Sequence, residues 1–113
     1  MTRDEFKNQK LIIREKGSGT REILQGFLDS NDIDYKVFME LGNTEAIKRS
    51  VEANLGIGCV SKRTVLENIK NNTINKFYLE NMHINRKLSF ICHRDKFLSK
   101  GMNKFIEFSK QFN

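Results

Sequence analysis

The stretch LIIREKGSGTREILQGFLD, residues 11–29, decides the expected fold. Its apolar run at residues 11–13 predicts a short buried strand over residues 10–14, because continuous apolar residues between polar ones are typical of such strands. Apolar residues then recur at helical spacing and predict a helix over about residues 20–29: Ile23, Leu24, Phe27 and Leu28. Two of the chain's 7 glycines lie between the strand and the helix.

The motif GSGTRE, residues 17–22, has the composition of an anion-binding loop. The first N–H groups of a helix have no partner within the helix, and the helix dipole adds positive potential there. Ser18 and Thr20 add hydroxyl donors, while Gly17 and Gly19 let a ligand approach the backbone. The alternative is a plain helix start, with Thr20 as the cap and Glu22 in an acidic first turn. The loop is not a Walker motif, because no GK[ST] follows.

A second junction of the same kind lies at GNTE, residues 42–45, after a strand over residues 35–41 whose alternation predicts one buried face. Asn43 or Thr44 is expected to cap a helix with an apolar stripe at Ile47, Val51 and Leu55. Gly56 is expected to end that helix at positive φ. Read alone the junction is an ordinary cap, and beside the first it is a possible second wall of one pocket.

The remaining elements complete an alternating pattern. A strand over residues 57–60 precedes a helix capped by Ser61, two strands follow over residues 74–79 and 88–93, and a last helix starts at about residue 99. Its apolar face comprises Met102, Phe105, Phe108 and Phe112. The order β-α-β-α-β-α-β-β-α predicts an α/β fold with parallel strands, right-handed crossovers and helices on both faces of the sheet. Ligands of such sheets bind at the carboxyl ends of the strands.

Composition and charge exclude some classes of function. The net charge of +6 is spread among acidic residues, so it does not by itself predict nucleic-acid binding. No apolar run is long enough for a membrane helix, and residues 1–10 resemble neither a signal peptide nor an anchor, so a cytoplasmic location is expected. Cys59 and Cys92 are expected to be reduced, with Cys59 in the core. We expect no metal site, no cofactor and no catalytic residue, because neither metal-ligand spacing nor a paired acid and base is present.

The series LIIREKGSGTRE, LGNTEAIKRSVEANLGIGCVS and RKLSFICHR, followed by FIEFSKQF, resembles the effector-binding region of LysR-type transcriptional regulators. The resemblance covers about residues 9–112. It implies a three-layer α/β/α subdomain that forms half of a periplasmic-binding-protein-like (type 2) fold. Residues 9–80 would be the second subdomain, and residues 81–113 the return strand and C-terminal helix of the first.

Carried over by position, the resemblance implies that Ser18, Gly19 and Thr20 face the cleft between the subdomains and help to hold a small anionic effector. Asn43 and Thr44 match a junction near the same cleft. The family's winged helix-turn-helix, linker helix and opening strands of the first subdomain are not matched. We therefore expect a truncated effector-binding region that reaches DNA only through the absent N-terminal domain.

The leading hypothesis is a ligand-sensing module of a transcription regulator. The rivals are a fragment of a solute-binding protein of the same architecture, a small basic nucleic-acid-binding protein, and an enzyme fragment that uses GSGT as a phosphate cradle. We also expect self-association, because a C-terminal strand and helix without the first subdomain would expose apolar surface and an unpaired strand edge.

Overall fold

The computed structural model describes residues 1–96, which form a mixed five-stranded sheet with helices on both faces. The strands are β1 (Lys10–Arg14), β2 (Lys36–Leu41), β3 (Ile57–Ser61), β4 (Ile74–Phe77) and β5 (Leu88–His93). The helices are α1 (Arg3–Lys7), α2 (Gly19–Ser30), α3 (Thr44–Glu52) and α4 (Lys62–Lys70). The predicted last helix lies outside the described residues. No helix within residues 1–96 is long and apolar enough to cross a membrane.

The strands are ordered β2-β1-β3-β5-β4 across the sheet. β1 pairs in parallel with β2 and β3, as the alternating pattern predicts. β5 is antiparallel to both of its neighbours, β3 and β4, so the prediction of parallel strands is wrong for β5. The reason is local: no crossover helix separates β4 from β5, and parallel neighbours in sequence need one.

Two separate apolar clusters cover the two faces of the sheet. On one face, side chains of β1 and β5 pack against α1 and α2 and bury Phe6, Leu24, Leu28 and Phe90. On the other face, Ile12 packs with α3 and α4 in a cluster that also contains Ile47, Val51, Val60 and Val65. Alternate residues of β1 thus enter opposite clusters. This confirms the expected three-layer α/β/α arrangement.

β5 is an interior strand, and this overturns one argument for self-association. Its residues are hydrogen-bonded to β3 on one side and β4 on the other, and Leu88 to Cys92 are all buried. The expectation that this strand leaves an unpaired edge is therefore wrong. β5 belongs to the same sheet as β1 to β4, while the division of the whole chain into subdomains at about residue 80 remains a prediction.

β2 forms an exposed edge of the sheet. Val37 and Phe38 are among the exposed large apolar residues, so the predicted buried face of this strand is only partly realised by Met39 and Leu41. The pairing of β1 with β2 shifts register between Leu11 and Ile12, because Phe38 is an extra residue on β2. A bulge and a charged edge hinder strand addition by another chain.

Gly56 differs from its prediction. The residue with positive φ after α3 is Asn54, at 60°, and Gly56 does not share that conformation. What requires glycine at position 56 is space: a Cβ there would lie 2.3 Å from the backbone oxygen of Lys10 and 3.1 Å from Cδ1 of Ile12. Close approach of β1 therefore excludes a side chain. Leu55, predicted in the apolar stripe of α3, lies beyond the helix and is exposed.

α1 was missed by sequence analysis. It has a capping box, in which the Glu5 N–H donates to the Thr2 hydroxyl and the Thr2 N–H donates to the Glu5 carboxylate. Its buried residue, Phe6, packs edge to face on Phe90 with ring centroids 5.6 Å apart. The spacing of Thr2 and Glu5 was the signal, since S/T-x-x-E often begins a helix.

Candidate functional site

Three helices begin at one edge of the sheet. β1, β2 and β3 are parallel, so their carboxyl ends lie at the same edge, and α2, α3 and α4 respectively follow them. α2 packs on one face of the sheet, whereas α3 and α4 pack on the other. In such sheets ligands usually bind at the carboxyl ends of the strands, in the crevice where the strand order reverses. This crevice lies here between the ends of β1 and β3, so the loop after β1 borders it, whereas the junction after β2 begins on the other side of β1.

The GSGT loop forms the N-terminus of α2, and Ser18 is its cap. Ser18 is extended (φ −73°, ψ 134°), and its hydroxyl accepts a hydrogen bond from the Arg21 N–H at 3.4 Å. Gly17 precedes it at φ 94°, a conformation that favours glycine. Thr20 lies inside the first turn, so the alternative that made Thr20 the cap is wrong. The helix starts earlier than predicted because Gly17 supplies the turn and frees Ser18 to cap.

Two backbone donors of α2 remain available. The Ser18 N–H donates to the Glu15 carbonyl at 3.3 Å, and the Glu22 N–H donates to the Ser18 carbonyl at 3.1 Å. Among residues 1–96, no acceptor engages the N–H groups of Gly19 and Thr20, which are the first two of the helix. A Cβ built on Gly19 would meet nothing within 4 Å, so the loop backbone is open on that side.

The GNT junction caps α3 in the same way. The Asn43 side-chain oxygen accepts a hydrogen bond from the Ala46 N–H at 2.8 Å, and Thr44 is the first residue of the helix. The sequence left Asn43 and Thr44 as alternatives, and the cap is Asn43. Thr44 is half-buried, as Thr20 is. Each junction therefore pairs a polar cap with a threonine in the first turn.

A direct contact joins the two junctions. The Glu15 N–H donates to the Leu41 carbonyl at 3.2 Å, which links the segments that leave β1 and β2. The Glu15 carboxylate would lie 3.7 Å from a Cβ on Gly42. Arg14 donates to that carboxylate at 3.0 Å, and this hydrogen bond is the main reason that the pKa of Glu15 is lowered. The two predicted motifs are therefore neighbours in space, and the Arg14–Glu15 ion pair lies beside Gly42 of the second motif.

Arg21 is a site residue that sequence analysis missed. Its side chain is only 8% exposed, and its guanidinium donates to the Glu40 carboxylate at 2.6 Å and to the Arg14 carbonyl at 3.2 Å. It thus ties the first turn of α2 to the ends of β1 and β2. The signal was its spacing, since Arg21 precedes Leu24 and Leu28 by three and seven residues and falls on the buried face of the helix.

Lys48 is a second missed residue. It is buried on α3, and its ammonium donates to the Thr64 carbonyl at 2.6 Å and to the Glu45 carboxylate at 3.1 Å. The bond to Thr64 holds α3 against the first turn of α4, while the bond to Glu45 lies within α3. Ser61 lies at the N-cap position of α4 as predicted, but its side chain makes no capping hydrogen bond. The third junction therefore differs from the first two.

The cysteines lie in the core. Cys59 and Cys92 are both buried, and both belong to the apolar cluster on the α2 face. Burial raises the pKa of Cys59 to about 12, so its thiol is protonated at neutral pH and is a poor nucleophile. The prediction of a core Cys59 is confirmed. Within residues 1–96, no three metal-ligating side chains form a group that could hold an ion.

These features define a class of protein: an α/β ligand-binding domain with helix N-termini gathered at one sheet edge. The chain belongs to the LysR substrate binding domain family, whose model matches residues 1–113. This confirms the resemblance found in the sequence motifs.

Individual relatives agree with the family assignment. Over 102 residues the chain is 38% identical to "Uncharacterized HTH-type transcriptional regulator YeiE" of Escherichia coli K12, covering 90% of this chain and 35% of that protein. Over 87 residues it is 30% identical to "HTH-type transcriptional regulator CysL" of Bacillus subtilis, covering 77% and 29% respectively. The chain thus spans about a third of the length of these curated relatives.

A solved structure has the same fold. The regulatory domain of CcmR from Synechocystis, determined in complex with 2-PG, superposes with a TM-score of 0.60 at 24% identity. The match covers 99% of this chain and 54% of the CcmR chain. At that identity the comparison supports the architecture.

Proposed function

We propose that this chain is the part of a LysR-type transcription regulator that senses a small anionic effector. The effector's anionic group binds at the N-terminus of α2, through the N–H groups of Gly19 and Thr20 and the hydroxyls of Ser18 and Thr20. Asn43 and Thr44, at the start of α3, form the second wall. The observation that carries this proposal is that two backbone N–H donors remain open at the start of α2. The hydrogen bond from Glu15 to Leu41 joins this junction to the one that precedes α3.

The chemistry of the loop supports an anion over a neutral ligand. Unpaired N–H groups at a helix start carry partial positive charge, and a carboxylate, sulfate or phosphate satisfies several of them at once. The CcmR regulatory domain, which has the same fold, was solved with 2-PG. That ligand belongs to CcmR, and we extend from it only the expectation of a small effector at this type of domain.

The regulatory role follows from the family. An effector that contacts both subdomains of the intact regulator favours the closed cleft by its differential affinity for the two states. Closure then changes how the oligomer presents its DNA-binding domains. In this proposal the chain acts in the cytoplasm, it is not an enzyme, and it contacts DNA only through the N-terminal domain of the intact protein.

Self-association belongs to the same proposal, with a different physical basis from the one first expected. β5 is paired on both sides, whereas Phe38, on the edge strand β2, and Leu55 are exposed and line the same surface hollow. Covering large apolar side chains favours association. Light scattering of the 113-residue chain at micromolar concentration should report a dimer or a larger species, and a monomer across that range would contradict it.

Anion binding can be tested by titrating the ¹⁵N-labelled chain with sulfate at constant ionic strength. The largest amide shifts should fall on residues 18–21, followed by Thr44. Gly19→Pro should weaken sulfate binding and reduce these shifts, because proline removes one of the two open N–H groups. Position 19 is the first residue of the helix, where proline is well tolerated, and the preceding Ser18 is already extended.

Gly19→Ala is the matched control, since it keeps the N–H and its Cβ meets nothing within 4 Å. It should bind sulfate as the unchanged chain does. If the largest shifts lie elsewhere, or if Gly19→Pro binds normally, the site is wrongly placed.

A further inference from the structure

The ion pair between Arg21 and Glu40 lies directly behind the anion loop and is unequally exposed. The side chain of Arg21 is 8% exposed and that of Glu40 is 46% exposed, with the two joined at 2.6 Å. Nε of Arg21 is buried and has no hydrogen-bond partner among residues 1–96. Glu40 is therefore the only anionic partner of this buried guanidinium within the described chain.

Two arginines beside the loop are each paired with a carboxylate. Arg21 is neutralised by Glu40, and Arg14 is neutralised by Glu15 at 3.0 Å. A buried cation exerts a longer-ranged field than an exposed one, because water screens it less. Without Glu40, the positive potential of Arg21 would add to that of the helix N-terminus of which it is part.

We propose that Glu40 is a specificity-determining residue of the anion site. By cancelling the charge of Arg21, it leaves recognition to the directed N–H and hydroxyl donors of the loop. The site then selects an effector by the geometry of its anionic group and does not concentrate anions in general. This inference rests on the proposed function and assigns a role to a residue that lies outside both sequence motifs.

Arg21 has a separate, positioning role. Its hydrogen bond to the Arg14 carbonyl holds the start of α2 against the end of β1, at 3.2 Å. The guanidinium of Arg21 positions the loop through its hydrogen bond, and the carboxylate of Glu40 neutralises the positive charge of that guanidinium. The two roles can be separated, because one depends on hydrogen bonds and the other on net charge.

Glu40→Gln tests the charge role. The amide oxygen still accepts from Arg21, so the loop geometry is retained while the negative charge is lost. Sulfate affinity should rise about three- to tenfold at low ionic strength, with most of the gain lost at about 0.5 M salt. Glu52→Gln is the matched control: it makes the same change in net charge at the other end of α3, and affinity should stay within about twofold.

Arg21→Met and the double variant Arg21→Met with Glu40→Gln complete a double-mutant cycle. Arg21→Met alone should weaken sulfate binding, because it loses the brace and leaves Glu40 unpaired. The double variant should recover part of that loss by removing the unpaired carboxylate. Thermal unfolding of each variant identifies any that fails to fold, and Glu40→Gln alone still decides the charge role.

The outcomes separate the two proposals. If the unchanged chain binds sulfate at residues 18–21 and Glu40→Gln binds with the same affinity and salt dependence, the role of Glu40 is wrong and the site stands. If neither binds there, the anion site is wrong and the role of Glu40 falls with it. A gain that Glu52→Gln reproduces would show an effect of net charge only and would also overturn the inference.

Discussion

The hydroxyl of Ser18 accepts a hydrogen bond from the backbone N–H of Arg21, three residues further along the chain, with 3.4 Å between oxygen and nitrogen. This bond makes Ser18 the cap of α2, while its own hydroxyl hydrogen stays available to a ligand. The side chain that stabilises the helix is therefore also one that contacts the proposed anion. Stability and binding are coupled at this residue.

Ser18→Ala should destabilise the chain by about 1 kcal/mol, the usual cost of removing a cap. Thr20→Ala should cost less, because Thr20 lies within the first turn and its hydroxyl does not cap the helix. Urea unfolding followed by circular dichroism gives both values. An equal loss in the two variants would contradict the assignment of Ser18 as the cap.

Ser18→Asp separates the two roles of Ser18. Aspartate is also a good cap and its charge suits a helix N-terminus, so stability should match that of the unchanged chain. The same negative charge neutralises the positive potential of the helix N-terminus and repels a ligand anion, so sulfate binding should disappear. Retained sulfate binding at residues 18–21 would show that the loop does not hold the anion.

Substitution of glycine by alanine should have opposite effects on stability at Gly56 and Gly26. Gly56→Ala would place Cβ 2.3 Å from the Lys10 backbone oxygen, and should destabilise the chain by about 2 kcal/mol or more. Gly26 lies inside α2 with nothing within 4 Å of its Cβ, so Gly26→Ala should stabilise by about 0.5–1 kcal/mol. Urea midpoints measure both, and a tolerated Gly56→Ala would refute the close approach.

Much of the fold was predictable from local patterns. The bounds of β1 and β5 match the predicted residues 10–14 and 88–93, because both strands are rich in apolar residues and bounded by polar ones. The two junctions at the strand ends were recognised from their capping residues. The apolar pattern does not predict which strands pair. The place of β5 between β3 and β4 depends on contacts between distant segments of the chain.

The site was predictable only in part, for a related reason. Ser18, Gly19 and Thr20 were recognised as the start of a helix because helix-start chemistry is local in sequence, and their role in binding stays a prediction. Arg21 and Glu40 are 19 residues apart, and their pairing at 2.6 Å depends on β1 and β2 lying side by side. A charged residue on a buried helix face signals that a partner exists, but spacing alone does not say which one.

Lys48→Met should destabilise the chain by about 1–3 kcal/mol. The substitution keeps the apolar stem but removes a buried donor that reaches the Thr64 carbonyl at 2.6 Å. Lys87→Met is the control, because Lys87 is exposed and its side chain makes no hydrogen bond within residues 1–96. Chemical unfolding compares the two. Equal stability of both variants would show that the contact between α3 and α4 does not need this bond.

The pH dependence of stability should contain a contribution from Glu80. The Arg3 backbone N–H donates to its carboxylate at 2.7 Å and the Arg3 side chain donates at 3.1 Å, and both bonds lower the pKa of Glu80. A lowered carboxyl pKa means that, at pH values around the folded and the ordinary pKa, the folded chain binds fewer protons than the unfolded chain. The stabilisation is therefore present above the ordinary pKa of about 4.5. It is lost as pH falls through the lower, folded value.

Glu80→Gln should flatten the acid side of the stability profile, because glutamine does not titrate, and should lower the unfolding midpoint slightly at pH 7. Glu80 also has a positive φ of 50°, so the bonds from Arg3 hold a backbone conformation that glutamate seldom adopts. Urea midpoints between pH 3 and 7 test this, with Glu67→Gln on α4 as the matched control. If the two variants lose stability in parallel as pH falls, the hydrogen bonds from Arg3 do not contribute to acid sensitivity.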